Sequence, residues 1–220
     1  MIIRQLSLNR GRTIKAANIA DNKEIEPALT QLEIPHPQKA IVLVGGASGI
    51  GFSDKLAMRK AIRIVVKLAE KTNAVVIDGG TQAGIMAEIG KQRKSNKFSF
   101  CLIGVVFDTL LMKKEPNKIL DPNHTNFLLV PGDNWGDESS WISKIATVVA
   151  GAKKSITILI NGGEISQHDV QYSILENRPV FIMRGTGRLA DEITLTRKVT
   201  AIDIAESSKK IQTYLEEQLL

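Results

Sequence analysis

The stretch VVIDGGTQAGIM, residues 75–86, decides the fold that we predict for this chain. Residues 75–77 form a β-branched run typical of a buried strand, and two glycines follow Asp78 directly. Helix-forming residues resume at Gly84, so the stretch predicts a strand, a glycine turn and a helix in succession. Unpaired backbone N–H groups and the helix dipole favour an anion at such a helix start, which predicts a phosphate-binding turn.

Similar glycine turns follow other strand-like runs, at Gly45-Gly46, Gly162-Gly163 and Gly185-Thr186-Gly187. Because loops after parallel strands open on the same edge of a sheet, these turns are expected to converge on one crevice. Turn geometry alone would also explain the glycines. The first turn contains Gly46, Gly49 and Gly51, a spacing that differs from GxGxxG and gives a nicotinamide site little support.

The composition is typical of a single globular α/β domain. The chain has 220 residues, of which 43% are hydrophobic and 24% charged. No apolar run approaches the roughly 18 residues that span a bilayer, and the N-terminus lacks signal-peptide features, so we expect a cytoplasmic protein without membrane contact. The single cysteine, Cys101, lies in an apolar run and is predicted to be a buried, inert thiol.

The formal charge of +6 favours an anionic partner. Four basic residues recur every four positions on a predicted helix: Lys55, Arg59, Arg63 and Lys67. A solvated helix face explains this row, and a nucleic-acid-binding surface is the alternative. The chain has 5% aromatic residues and no cluster for base stacking, which argues against nucleic acid as a partner.

Strand-like and helix-like segments alternate from residue 40 onward, which predicts a Rossmann-like, doubly wound and mostly parallel sheet with helices on both faces. Strands are predicted at 40–44, 74–78, 99–106, 126–130, 155–160, 179–183 and 199–202. Helices are predicted at 53–71, 84–93, 138–150, 167–176, 188–196 and 204–218.

Residues 39–220 are predicted to form this domain, with residues 1–38 as an N-terminal segment packing on it. Within that segment IIRQLSL could form a strand, and KEIEPALTQLEI could form a strand or a short helix. Residues 107–125 are predicted to be a long irregular connection, either a binding loop or a surface excursion.

Two blocks resemble the LOG, or lysine decarboxylase-like, phosphoribohydrolases. GGTQAGIM at 79–86 is similar to their GGGxxGLM element, and NGGEISQHD at 161–169 is similar to PGGxGTxxE. In the second block Ser166 stands for the threonine, and Asp169 takes the place of the catalytic glutamate. This resemblance implies cleavage of a nucleoside monophosphate at its glycosidic bond, with Asp169 and Glu164 as candidate catalytic carboxylates.

Several blocks in order resemble the LSDAT domains of the SLOG superfamily, which also occur at the N-terminus of TRPM-type channels. The blocks are VGGASG at 44–49, IDGGTQAGIM at 77–86, HTNFLLVPGDNWG at 124–136, ILINGGE at 158–164 and RPVFIMRGTGRLADEI at 178–193. The resemblance implies a nucleotide-derived ligand such as ADP-ribose or NAD. It also implies a homo-oligomer, and any output would need a partner protein or assembly.

Carried over position by position, the resemblance implies two sets of ligand-binding residues. The phosphate cradle would comprise Gly45, Gly46, Gly79, Gly80, Thr81, Gly162 and Gly163. The residues closing over the ligand would be Gly185, Thr186, Gly187 and Arg188. Ser48 and Gly84 complete the candidate set.

The remaining candidates each have two explanations. Asp78 either accepts ribose hydroxyls or caps the following turn, and Ser166 could add a hydroxyl donor. Trp135 either stacks on a base or packs at the rim. The acidic patch Asp133, Asp137 and Glu138 could hold Mg²⁺ near a diphosphate or cap a helix, and no metal-ligand cluster supports a metal site.

These observations support three hypotheses. The first is a domain that binds and senses a nucleotide derivative, with Mg²⁺ as the one candidate cofactor. The second is a LOG-like phosphoribohydrolase. The third is a basic nucleic-acid-binding module.

Overall fold

The computed structural model describes residues 1–8, 11–46 and 52–220, and the side chains of residues 52 and 53 are not described. Nine strands occur in this part of the chain: β1 Ile2–Leu8, β2 Arg12–Asn18, β3 Ala40–Gly45, β4 Val75–Asp78, β5 Leu102–Phe107, β6 Asn126–Val130, β7 Ser155–Ile160, β8 Val180–Arg184 and β9 Val199–Asp203. They form one sheet in the order β1-β2-β6-β5-β4-β3-β7-β8-β9.

The N-terminal segment contributes two strands to the edge of this sheet. β1 pairs antiparallel with β2, whereas β2 pairs parallel with β6. Strand β2 was not predicted, because only its Ile14, Ala16 and Ala17 are buried and the two alanines are small. The local sequence of β2 lacks a strand pattern, and the strand is stabilised by its pairing with β6, more than 100 positions away.

Two layers of helices cover the sheet. The helices are α1 Ile25–Gln31, α2 Phe52–Thr72, α3 Gly84–Ser95, α4 Asp108–Lys113, α5 Pro116–Ile119, α6 Ser139–Ala150, α7 Glu164–Leu175, α8 Leu189–Glu192 and α9 Ser208–Leu219. Helices α1, α6, α7 and α8 pack on one face, and α2, α3 and α9 on the other. The prediction of a Rossmann-like, mostly parallel sheet with helices on both faces is confirmed.

The central strands serve both layers because successive side chains point to opposite faces. Val42 and Val44 of β3 join the core under α6, whereas Ile41 and Leu43 join the core under α2. Every residue of β4 and β5 is buried. The carboxyl ends of these strands are therefore held rigidly from both sides.

The connection predicted to be irregular contains the two short helices α4 and α5. Gln82 fixes it to the turn after β4, since its Nε2 donates to the carbonyls of Asn117 at 2.7 Å and Leu120 at 2.8 Å. Thr81 and Leu120 add an isolated antiparallel bridge. The segment therefore lies beside the carboxyl edge of the sheet.

Two further differences concern single residues and bounds. Cys101 is half-buried, not fully buried as predicted, and burial raises the pKa of its thiol. The helix predicted over 188–196 is only the short α8, because the chain turns extended at Ile193. Among the described residues, no helix is both long and apolar enough to cross a membrane.

Candidate functional site

A cavity of about 580 Å³ opens at the carboxyl ends of β3, β4 and β7. It lies between the starts of α3 and α7 and is bordered by the segment that carries α4 and α5. Predicted site residues that line it are Gly45, Gly46, Gly79, Thr81, Trp135, Gly163, Glu164, Ser166, Asp169 and Arg188. The glycine turns of three of the four strands therefore meet at this cavity, whereas the turn after β8 contributes only Arg188.

The turn after β4 is held from beneath by a buried group of charges. Asp78 is fully buried, and its Oδ1 accepts from the Gly80 N–H at 2.7 Å and faces His124 Nε2 at 2.8 Å. On the other side of the ring, His124 Nδ1 lies 2.9 Å from Asp121 Oδ2. Asp78 thus caps the turn and contacts His124, and it does not line the cavity.

His124 carries the positive charge of this buried group. Its ring is stacked on Phe127 with centroids 5.5 Å apart, and both ring nitrogens face carboxylates. Burial opposes the charged imidazolium, but the charge of Asp78 and the hydrogen bond to Asp121 outweigh it and raise the pKa of His124 to about 9. The imidazole of His124 therefore remains protonated at neutral pH, and the resulting imidazolium joins β4 to the segment before β6.

The two glycines of this turn have different environments. A Cβ on Gly79 would meet only the Met86 sulfur, at 3.0 Å. Gly80 has a φ of +61°, and a Cβ there would lie 2.7 Å from both the Gly104 Cα and the Phe127 ring. Gly79 faces the cavity, whereas Gly80 packs against β5 and β6.

The start of α3 forms one wall of the cavity. Gly84 begins this helix with a φ of +49° but does not line the cavity, although Thr81, Gln82 and Ala83 do. No side chain among the described residues caps the helix. Its first turn therefore presents backbone amides near the cavity wall.

The turn after β7 is joined to the turn after β8 by uncharged hydrogen bonds. Asn161 donates its backbone N–H to Thr186 Oγ1 at 2.8 Å and its Nδ2 to the Thr186 carbonyl at 2.6 Å. Thr186 Oγ1 in turn donates to the Met183 carbonyl at 2.7 Å. Thr186 is fully buried, so it connects the two turns and does not line the cavity.

The glycines of the β8 turn also stay outside the cavity. The amides of Gly185 and Gly187 donate to the two carboxylate oxygens of Asp191, at 2.6 Å and 2.9 Å. Gly162 likewise faces Leu159 and Ser166, since a Cβ there would lie 3.0 Å from each. Of the four residues that the resemblance implies to close over the ligand, Arg188 alone lines the described cavity.

Arg188 lies in the left-handed region with a φ of +54°, an uncommon conformation for a residue with a side chain. Its guanidinium reaches across the β7 turn. A Cβ on Gly163 would lie 2.5 Å from Arg188 Nη2, and one on Gly46 would lie 3.4 Å from Nη1. Glycine at both positions therefore leaves room for the guanidinium beside the cavity.

Two carboxyl groups, those of Glu138 and Asp169, also line the cavity. Glu138 is 7% exposed, and its Oε2 accepts from the Gly136 N–H at 2.9 Å. Asp169 Oδ1 is shielded from solvent and has no hydrogen-bond partner among the described residues. Burial raises the pKa of Asp169 to about 7, the Ser139 hydroxyl opposes this shift and the charge of Glu138 adds to it.

Burial also raises the pKa of Glu138, although hydrogen bonds from its own backbone amide and that of Gly136 oppose the shift. The cavity therefore holds two carboxyl groups whose pKa values are raised. Asp169, with a pKa of about 7, can donate a hydrogen bond near neutral pH or supply a proton.

The acidic patch before α6 is used for turn geometry. Asp137 Oδ2 accepts from the backbone amides of Asp133 and Asn134, at 2.8 Å and 3.0 Å. Within residues 1–8, 11–46 and 52–220, no group of three His, Cys, Asp or Glu side chains could hold a metal ion. Of the candidates, Ser48 lies outside the described residues.

A known protein family matches most of the chain. The family described as "SLOG in TRPM, prokaryote" matches residues 38–218. The chain belongs to this family. The match starts just before β3 and ends within α9, so it includes every glycine turn that borders the cavity.

Relatives of this SLOG chain include channel subunits. Transient receptor potential cation channel subfamily M member 2 of Mus musculus is 24% identical over 264 residues, which cover 99% of this chain and 17% of the channel. The subfamily M member-like 2 of Nematostella vectensis is 25% identical over 206 residues, covering 74% of this chain and 13% of its own. The chain thus spans less than a fifth of these relatives.

A solved structure shares the fold. The X-ray structure of TM1055, a structural genomics target, has a TM-score of 0.59 and 16% identity, and the match covers 81% of this chain and 99% of that one. At this identity the likeness establishes the fold alone.

Sequence reasoning did not assign several cavity residues of this SLOG chain to the ligand site. Lys114 and Lys118 line the cavity from the α4–α5 segment, and Gln82 and Ile165 line it beside the glycine turns. The two lysines sit in a stretch without periodicity or motif, 30 or more positions from the nearest glycine turn. The bridge between Thr81 and Leu120 and the hydrogen bonds from Gln82 to the carbonyls of Asn117 and Leu120 bring them to the site.

Proposed function

We propose that this protein binds a nucleotide derivative containing a diphosphate, of the ADP-ribose or NAD type, in the cavity at the carboxyl edge of the sheet, and acts as a ligand sensor. The observation that carries the proposal is the convergence of three glycine turns on one cavity of about 580 Å³. Ligand cavities commonly measure about 300–1,000 Å³.

The start of α7 supports binding of phosphate. Gly163 precedes this helix in extended conformation, and no side chain among the described residues caps it. Its free backbone amides and the positive end of its dipole border the cavity at Glu164 and Ser166. Because Gly163 has no side chain, the Arg188 guanidinium can lie against this turn, where it can contact a phosphate bound at the helix start.

Cations at the rim support an anionic ligand with two phosphates. Arg188 lines the cavity beside the β7 turn, and Lys114 and Lys118 line it from the α4–α5 segment. A guanidinium can bind a phosphate through two parallel hydrogen bonds. Trp135, 51% exposed and edge-to-face with Phe107, offers its indole to the ligand at the cavity mouth.

Calorimetric titration with ADP-ribose, NAD, AMP and inorganic pyrophosphate tests the proposal. Arg188→Gln should weaken the binding of diphosphate ligands at least tenfold. Arg197→Gln is the matched control, because it also removes one positive charge but lies on the exposed segment before β9. Binding of none of these ligands to the wild type, or equal affinities for both variants, would contradict the proposal.

The carboxyl pair favours a second candidate, a phosphoribohydrolase. Asp169 lines the cavity and keeps a pKa of about 7, which suits a group that transfers a proton near neutral pH. Release of free base from AMP that is lost in Asp169→Asn, with ligand affinity retained, would support this candidate. Unchanged AMP after prolonged incubation would leave the sensor as the function.

A further inference from the structure

The two helical layers carry opposite charge. Within the described helices, α2, α3 and α9 hold eleven lysines and arginines against five acidic residues. The opposite layer, α1, α6, α7 and α8, holds one lysine and five acidic residues. The formal charge of the protein is therefore concentrated on one face, away from the cavity acids.

Five of these eleven basic residues form a row along α2. Basic side chains follow one another at every fourth position and are all exposed: Lys55, Arg59, Arg63, Lys67 and Lys71. At about 1.5 Å per residue the row is about 24 Å long. Arg59 lies 3.8 Å from Glu88 and Lys71 lies 2.8 Å from Glu216, but the other three form no ion pair with a described residue.

Helix α3 widens the row into a surface. It packs beside α2, where Gln92 Nε2 donates to the Arg59 carbonyl at 3.2 Å. Lys91 and Lys94 on this helix are exposed, as is Lys97 after its end, and none of them has an ion pair with a described residue. We call these eight residues, five on α2 and three on or after α3, the basic surface.

Like charges spaced four apart on a helix repel each other. The row on α2 contains four such pairs in succession, and described acidic residues form ion pairs with only its second and last members, Arg59 and Lys71. A polyanion that neutralises several members together would remove this repulsion. From this geometry we propose that the basic surface binds the phosphate backbone of duplex nucleic acid without reading its sequence.

The character of the surface favours a duplex over other polyanions. Leu56 is the one large apolar side chain exposed on the described parts of α2 and α3, whereas a helix that lies in a lipid surface presents an apolar face. No aromatic side chain is exposed on the described parts of these helices, so a stacking platform for single strands is missing. Contacts to duplex phosphates need neither feature.

Fluorescence anisotropy with a labelled 24-base-pair duplex of mixed sequence, at 50 to 200 mM salt, tests this proposal. If about five phosphates are contacted, the logarithm of the affinity should fall against the logarithm of the salt concentration with a slope of about −4 to −5. A second duplex of unrelated sequence should bind equally well. Absence of binding at 50 mM salt would overturn the proposal.

Two double variants locate the contact. Arg63→Gln with Lys67→Gln removes two charges from the basic surface, and Lys153→Gln with Lys154→Gln removes two from the exposed turn before β7. The first should weaken duplex binding at least tenfold and reduce the salt slope by about 2, whereas the second should leave the slope unchanged. Equal losses, or tighter binding to phosphatidylserine vesicles than to the duplex, would refute the proposal. ADP-ribose binding should be the same in both, because neither pair lines the cavity.

Discussion

The two glycine pairs at the cavity, Gly79-Gly80 and Gly162-Gly163, look alike in sequence but divide their roles in opposite order. After β4 the first glycine faces the cavity and the second packs against Gly104 and Phe127. After β7 the first packs against Leu159 and the second faces the cavity. A glycine pair therefore indicates a turn that can approach a ligand, and the contacts on each side decide which residue does so.

The supports beneath the two turns also differ. An imidazolium between two buried carboxylates holds the β4 turn, whereas amide and hydroxyl hydrogen bonds from Asn161 to Thr186 hold the β7 turn. On the β7 side, the carboxyl group of Asp169 lines the cavity. We therefore expect substitutions near β4 to affect folding first and substitutions near β7 to affect binding first.

Replacing His124 should have the largest effect. His124→Leu leaves Asp78 and Asp121 buried without their cation, which should lower the free energy of unfolding by about 3–5 kcal/mol. Urea denaturation at pH 7 measures this loss. His168→Leu is the control, because His168 is exposed, and it should change stability by less than about 0.5 kcal/mol.

The same imidazolium predicts an alkaline transition in the wild type. Because the pKa of His124 is raised from 6.5 to about 9 in the folded protein, its stabilisation is complete below about pH 6.5 and is lost as pH rises through about 9. His124→Leu should lack this loss. A wild type that is equally stable at pH 6.5 and 9.5 would contradict the ionic support of the β4 turn.

The next effect separates the two glycines of the β4 turn. Gly80→Ala places a Cβ 2.7 Å from the Gly104 backbone and forces alanine to a φ of +61°, so stability should fall by about 2–4 kcal/mol. Gly79→Ala meets only the Met86 sulfur and should lower stability by less than about 1 kcal/mol. Equal losses in thermal and urea unfolding would remove the asymmetry.

How far the sequence predicts this molecule depends on how local each signal is. The glycine turns after β4 and β7 were predicted because each strand, turn and helix is contiguous in the chain. Strand β2 was missed because its pairing with β6 is remote, and it has few buried side chains of its own. The helices of the 107–125 segment are six and four residues long, too short for a periodic signal.

Within the site, sequence reasoning identified the residue types better than their orientation. Arg188, Gly163 and Asp169 border the cavity as predicted, but Thr186 and Gly80 are turned into the protein. The residues that contact them, Asn161 for Thr186 and Phe127 for Gly80, are distant in sequence. The basic row on α2 was visible as a pattern, whereas its extension over α3 required the packing of the two helices.

The β7 turn should show the reverse of the β4 result. Gly163 has an extended backbone that alanine adopts, and its Cβ would displace only the flexible end of Arg188. Gly163→Ala should therefore keep its stability within about 1 kcal/mol while ADP-ribose affinity falls about tenfold, or 1.4 kcal/mol. Gly162→Ala, with a φ of +97°, should instead lower stability. Loss of stability without loss of affinity in Gly163→Ala would break the comparison.

The smallest effect concerns the carboxyl group of Asp169 on the β7 side. Because burial raises the pKa of Asp169 from 3.8 to about 7, the folded state favours the neutral acid, and ionisation destabilises it as pH rises from about 4 to 7. Asp169→Asn mimics the neutral acid, so its stability relative to the wild type should increase over this range. Solvent reaches this half-buried residue, so the expected gain is about 1 kcal/mol. Asp133→Asn, at an exposed position, is the control, and its stability in urea unfolding should follow that of the wild type at each pH. If the stability of Asp169→Asn also follows the wild type, the carboxyl group of Asp169 is already ionised at the cavity wall.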